Sequence, residues 1–299
     1  MRVGTRPSTR WLETSEGPGG AAGSKDLVKR SLFYQIGGEE GVDFERLSSE
    51  VRLAEALGFE SVWLFPALSE ERGFGGQAPE IWLGGLAART ERIRLGWGVA
   101  GQTPPLRPPI RVAEQGASLD LACAGRLEVA LLPDGEASWE ETDWQEGYRM
   151  WVDMWDGPTF SWTSPRFEVR PIDVLPKPVQ KPHPPLWLAG WDLDHARAAG
   201  AGGLGFLDLS GGALDRLEVH RDAYAEARSA CDPSELVSGS VFAVAGEFEP
   251  DPGGQAQLAA LEDLGVDQVM VRASTSEWGP AQSLERIRSF GGVESGTPS

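Results

Sequence analysis

FERLSSEVRLAEALGFESVWLF, residues 44–65, carries the pattern on which the fold reading turns. Phe44, Leu47, Val51, Ala54 and Leu57 recur near the 3.6-residue period and give a helix one apolar face. Gly58 stops that helix. Ser61, Val62, Trp63, Leu64 and Phe65 then form a short, mostly apolar run of strand type. A one-faced helix leading directly into such a strand is half of a βαβ unit. Strands of this kind are covered by helices on a parallel sheet.

The same alternation extends both ways. Upstream, residues 31–36 read as a strand ended by Gly37 and Gly38. Downstream come a helix at 80–89, a strand at 93–99, a helix at 111–121 and a strand at 126–131. Residues 140–155 predict a helix with Trp144, Tyr148, Trp151, Val152 and Trp155 on one face. The rhythm breaks at 158–174, where aromatic and polar residues alternate as in a hairpin. The Pro-rich segment 175–185 is a stiff lead into a strand at 186–189. Strands at 203–207, 240–244 and 268–271 then alternate with helices near 212–230, 253–264 and 281–290. Eight strands in this order predict an α/β chain closed into a (β/α)8 TIM barrel, with a hairpin excursion before strand 5. An open doubly wound sheet is the alternative. It requires a G-x-G-x-x-G turn after an early strand, and Gly37, Gly38, Glu39 and Glu40 supply none.

Residues 1–26 lack any apolar period and are expected to be a disordered tail, with the barrel at 27–292 and a flexible tail at 293–299. The net charge of −18 opposes nucleic acid and anionic lipid, so neither is an expected partner. Apolar runs are short and no apolar leader opens the chain, so a cytoplasmic location is expected. Cys123 and Cys231 are too few for a disulfide framework and have no metal-ligand neighbours, so no metal is expected. Twelve tryptophans could line a sugar cleft, but core filling is the favoured reading.

Three stretches carry a resemblance. LAEALGFESVWL (53–64), LAARTERIRLG (86–96) with RVAE (111–114), LDL (119–121) and GRL (125–127), and LPKPVQKPHPPLW (175–187) occur in the order found in bacterial luciferase-like flavin-dependent monooxygenases. The chain resembles that family over roughly residues 31–275. The resemblance implies FMN or F420 at the C-terminal mouth of the barrel and oxidation or hydride transfer on a small organic substrate. It also implies a homodimer, or a heterodimer with a related barrel, built through the early helices; Ile81, Trp82, Leu83, Leu86 and Ala87 are the apolar stretch that could pack there.

The resemblance places cofactor-binding residues at Gly98, Val99 and Ala100, whose small size leaves backbone open to the ring. It places others at Asp134, Gly190, Trp191 and Asp192. Several depart from the family pattern. Strand 2 runs into Phe65, Pro66, Ala67, Leu68 and Ser69, without the family's histidine, and no catalytic residue is assigned. Asp134, after Pro133, stands where the family places an arginine for the cofactor phosphate. Trp191 stands for a phosphate-binding serine, and Asp192 with Asp194 suits the positive end of a helix instead. These changes predict weak FMN binding, and they raise the alternative of a degenerate, non-catalytic partner subunit. Arg107 is a further phosphate candidate, while His183, His195 and His220 read as structural or surface residues. A glycoside hydrolase, with Asp134 and Asp208 as its carboxylates, is the remaining alternative.

Overall fold

The computed structural model describes residues 28–36, 43–66, 68–69, 73–74, 78–100, 108–132, 143–211, 213–232, 241–272 and 278–291. Pro133, Asp134, Arg107 and both terminal tails lie outside them.

In chain order, β1 (Lys29–Ile36), α1 (Phe44–Ala56) and β2 (Ser61–Pro66) repeat the pattern with which the sequence opens. A two-residue antiparallel ladder, β3 (Leu68–Ser69) with β4 (Gly73–Phe74), follows and had no sequence signal. Then come α2 (Pro79–Ala87), β5 (Arg94–Ala100), α3 (Pro109–Ala122), β6 (Leu127–Leu132) and α4 (Asp143–Asp156). The expected excursion is the antiparallel pair β7 (Phe160–Thr163) and β8 (Glu168–Ile172). The chain finishes with β9 (Leu186–Gly190), α5 (Leu193–Ala201), β10 (Gly205–Asp208), α6 (Leu214–Ala230), β11 (Phe242–Gly246), α7 (Pro252–Asp263), β12 (Gln268–Arg272) and α8 (Pro280–Gly291).

Eight parallel strands close into a barrel in the order β1-β12-β11-β10-β9-β6-β5-β2. Side chains alternate across each strand. Leu32, Leu64, Trp97, Val129, Leu188 and Phe206 pack outward into one core with the helices, while Phe33, Trp63, Phe65, Trp187 and Met270 fill the barrel itself. Trp151 and Trp155 of α4 are fully buried, and the Trp155 indole donates to the Ala113 carbonyl at 2.9 Å. Of the nine tryptophans whose side chains are described, five (Trp63, Trp97, Trp151, Trp155 and Trp187) are buried in the core.

The barrel floor is polar and densely hydrogen-bonded, although Glu128 Oε2 has no hydrogen-bond partner among the described residues. Gln268 Nε2 donates to Ser31 Oγ at 2.6 Å and Ser61 Oγ at 2.9 Å, and the Trp63 indole also donates to Ser61. Gln180, from the Pro-rich segment, donates to Asp120 Oδ1 at 2.7 Å and the Leu127 carbonyl at 2.8 Å. Arg94 pairs with the buried Glu128. Burial pushes the Glu128 carboxyl up, and Arg94 pulls it back. The Pro-rich segment therefore lies as a plug against the N-terminal end of the barrel.

Candidate functional site at the barrel mouth

Chemistry in an eight-stranded barrel belongs at the C-terminal ends of its strands. There the structure has a cavity of about 490 Å³, within the range of small-molecule sites. β1 contributes Phe33 and Gln35, and Trp191 comes from just beyond β9. Leu209 and Gly211 follow β10. Ala245, Gly246 and Glu247 end β11, and Arg272 ends β12. Strand alternation explains the set: Phe33 and Gln35 continue the inward row begun by Ser31, and Arg272 continues that of Gln268 and Met270. Two aromatic rings and two aliphatic side chains thus face a short polar row of amide, guanidinium and carboxylate.

Arg272 Nη2 donates to Gln35 Oε1 at 3.2 Å, and Arg272 Nη1 stands 3.5 Å from Glu247 Oε1. The Trp191 ring leans on His195, with centroids 4.7 Å apart. His195 is fully buried, not solvated as its place in the sequence suggested, and its Nδ1 lies 2.5 Å from Asp192 Oδ1. Burial drives the His195 pKa down; Asp192 opposes this. Burial works against ionising Asp192, but hydrogen bonds from the His195 backbone and ring hold its carboxyl below the usual range.

The structure separates the residues singled out from the sequence. Trp191 lines the cavity. Asp192 is the N-cap of α5 and accepts the His195 backbone N–H at 2.9 Å. The positive end of that helix is thereby already occupied by a carboxylate. Gly190 lies under His195: a Cβ there would stand 2.4 Å from His195 Cβ. A Cβ at Gly98 would meet the Phe65 ring at 2.3 Å, so Phe65 fills the space over that backbone. Val99 packs with the helical layer, and Ala100 packs in the barrel interior.

Asp208 is fully buried; its Oδ2 lies 2.6 Å from His220 Nδ1, and its Oδ1 accepts the Ser210 N–H at 2.8 Å. It braces β10 against α6 through His220, and its proposed glycosidase partner Asp134 lies outside the described residues. His220 is buried with it, and His183 is buried beside Trp155, so both are structural. Cys123 and Cys231 are not joined in a disulfide; burial raises the pKa of the former. Among the described residues no cluster of three or more ligand-type side chains could hold a metal ion. Nor is any described helix long and apolar enough to cross a membrane.

Sequence reasoning missed Gln35, Glu247 and Arg272. Their signal was present: each polar residue sits one inward step past an apolar strand residue, at the strand's C-terminal end.

A family model described as luciferase-like monooxygenase matches residues 30–249. The chain is 27% identical to an F420-dependent glucose-6-phosphate dehydrogenase of Beutenbergia cavernae, over 87% of each chain. It is 29% identical to a protein of the same name from Microbacterium testaceum, over 59% of this chain and 54% of that one. Among solved structures, monooxygenase RslO1 from Streptomyces bottropensis superposes with a TM-score of 0.72 at 21% identity, covering 88% of this chain and 97% of that one. The F420-dependent tetrahydromethanopterin reductase of Methanopyrus kandleri gives 0.67 at 16% identity, covering 89% and 98%. At these identities the two structures speak for the barrel alone.

Proposed function

The chain belongs to the luciferase-like monooxygenase family, and from that premise we propose that it is an F420-dependent oxidoreductase acting on a small organic substrate at the barrel mouth. The observation that carries this reading is the mouth cavity, walled by Phe33 and Trp191 and edged by Gln35, Glu247 and Arg272. F420 is preferred to FMN because the relative aligned over 87% of both chains is named for F420.

The residues fit a flat tricyclic ring. Phe33, Trp191, Leu209 and Ala245 offer aromatic and aliphatic faces, and the Gln35 amide offers both a donor and an acceptor for ring-edge atoms. When bound, a deazaflavin supplies a site that accepts or donates hydride. The chain binds and orients the ring, and its apolar walls keep water from the reacting face. His195, clamped by Asp192, holds the Trp191 wall in place from behind. A barrel that keeps such a cavity reads as a working site rather than as a degenerate partner subunit.

The finer assignments are also proposals: a cytoplasmic protein, and a dimer through α2 and α3. Leu83, Leu86 and Ala87 are taken up by the chain's own core, which narrows the expected apolar contact to Ile81, 72% exposed, the half-buried Trp82, and Leu121 on α3, 48% exposed.

Equilibrium titration with F420, FMN and reduced FMN tests the reading. F420 is expected to bind saturably, and Trp191→Ser to weaken it about fivefold by loss of the ring contact. Absence of saturable binding by all three overturns it.

A further inference from the structure

We infer that Arg272 is an anion-recognition residue of the mouth cavity, holding a carboxylate or phosphate group on a ligand whose apolar body lies against Phe33 and Trp191. The inference rests on reading that cavity as the ligand site.

Three observations carry it. First, position: Gln268, Met270 and Arg272 occupy successive inward places on β12, and the first two are buried in the barrel. Arg272 is the next step outward, and it lines the cavity. Second, its hydrogen bonds to the described residues leave donors of the guanidinium over. A guanidinium carries five N–H donors in a planar fork. Among the described residues Arg272 makes one 3.2 Å hydrogen bond to Gln35 and one 3.5 Å contact to Glu247, neither of them bidentate. Glu247 is 60% exposed, so the pair is solvent-screened and readily exchanged for a better partner. Planar oxoanions match the arginine fork with two parallel bonds, and such charge-assisted pairs are about twice as strong as neutral ones.

Third, charge. The chain carries −18 overall, a field that repels anions. Of the described cavity residues, Arg272 is the cation, and it stands beside the apolar walls of Phe33 and Trp191. The other end of the mouth is closed to anions, because Asp192 already caps α5. Among the described lining residues, Arg272 is therefore the partner that an anionic group entering this cavity would find.

The anion can belong to the substrate or to the cofactor, and the experiment separates the two. Calorimetric titration uses benzoate, inorganic phosphate and the neutral benzamide against wild type, Arg272→Gln, Arg272→Lys and Glu247→Gln. The expected result is benzoate or phosphate binding at least about tenfold tighter than benzamide, lost in Arg272→Gln. Arg272→Lys restores part of it, since a point charge lacks the fork. Glu247→Gln tightens it, since a competing carboxylate is gone. In parallel, F420 is compared with its phosphate-free deazariboflavin portion. If Arg272→Gln weakens F420 and spares the shorter compound, the cofactor supplies the anion. If F420 is unaffected while benzoate is lost, the substrate does.

Equal binding of anion and benzamide, equal binding by wild type and Arg272→Gln, or no anion binding by wild type overturns the inference. Anion selectivity that persists in a wild-type protein unable to bind F420 would sink the cofactor assignment and leave the anion site standing. Thermal melts of each variant identify any loss that comes from unfolding.

Discussion

At the floor of the barrel, Gln268 holds Ser31 and Ser61 at 2.6 and 2.9 Å, and Gln180 ties Asp120 to the Leu127 carbonyl at 2.7 and 2.8 Å. At the mouth, Arg272 reaches Gln35 at 3.2 Å and Glu247 at 3.5 Å. Both ends use amides, carboxylates and a guanidinium on inward strand positions. The floor's polar groups are bonded to each other across four strands and a plug, so their work is to close the barrel. The mouth's are held loosely beside open space, so their work is left for a ligand. Residue type does not separate structural from functional polar groups here. What separates them is where their partners lie: the floor amides bond buried groups at short range, while Arg272 leans on an exposed carboxylate.

If that contrast holds, substitutions at the two ends fail in different ways. The largest effect is expected from Glu128→Ala, which strands the partly buried Arg94 and should cost about 3 kcal/mol in urea unfolding. Gly96→Ala comes close behind. Its new methyl would stand 2.0 Å from the buried Trp63 ring, an overpacking that costs about 2 kcal/mol. A loss below about 1 kcal/mol in both variants would break the structural reading of the floor. At the mouth, Arg272→Gln should change stability by no more than about 0.5 kcal/mol while abolishing anion selectivity. A large stability loss there would place Arg272 with the floor residues.

The legibility of the sequence follows the same line. Each barrel strand was readable because burial on both faces writes a near-continuous apolar run, and each helix because one buried face writes a 3.6-residue period. The ladder at Leu68–Ser69 and Gly73–Phe74 was not, being too short to write a period. The site was only partly readable. Asp192 was seen as a helix cap and is one, and Trp191 was placed at the mouth, where it lines the cavity. Gly98 reads as open backbone and Gly190 as a cofactor-binding position, whereas the Phe65 ring and His195 pack over them. That packing joins residues distant in sequence, and no local pattern encodes it. Arg272 and Gln35 were encoded in the inward row of their strands, but a single polar residue ending an apolar run is easily taken for a strand terminus.

A pH test sharpens the comparison on the wall behind Trp191. Burial lowers the pKa of His195 and of His183 from 6.5 in the native state. The unfolded chain therefore takes up protons first as pH falls. Native stability is full above about 6.5 and declines below it, by at most about 1.4 kcal/mol per pH unit for each histidine, until the native pKa is passed. Glu50 and Glu128, whose carboxyls burial raises, act in the opposite sense above their unfolded value of 4.5 and blunt the decline. Urea melts at pH 7.5 and 6.0 should show the loss; stability that rises on acidification across that interval would mean that the buried carboxylates, not the histidines, govern the response. The smallest effect is expected from deleting residues 1–26, whose composition offers no apolar period: the thermal transition should not move. A lowered transition would bring that segment into the barrel.

Hydrogen–deuterium exchange of the whole protein with and without F420 tests the central claim most directly. The account predicts that F420 slows exchange at the C-terminal ends of β1, β11 and β12 and around Trp191 and Leu209, while the floor around Ser31, Asp120 and Gln180 does not change. Protection at the floor or the outer helices with an unaltered mouth, or no change anywhere under saturating F420, would contradict it.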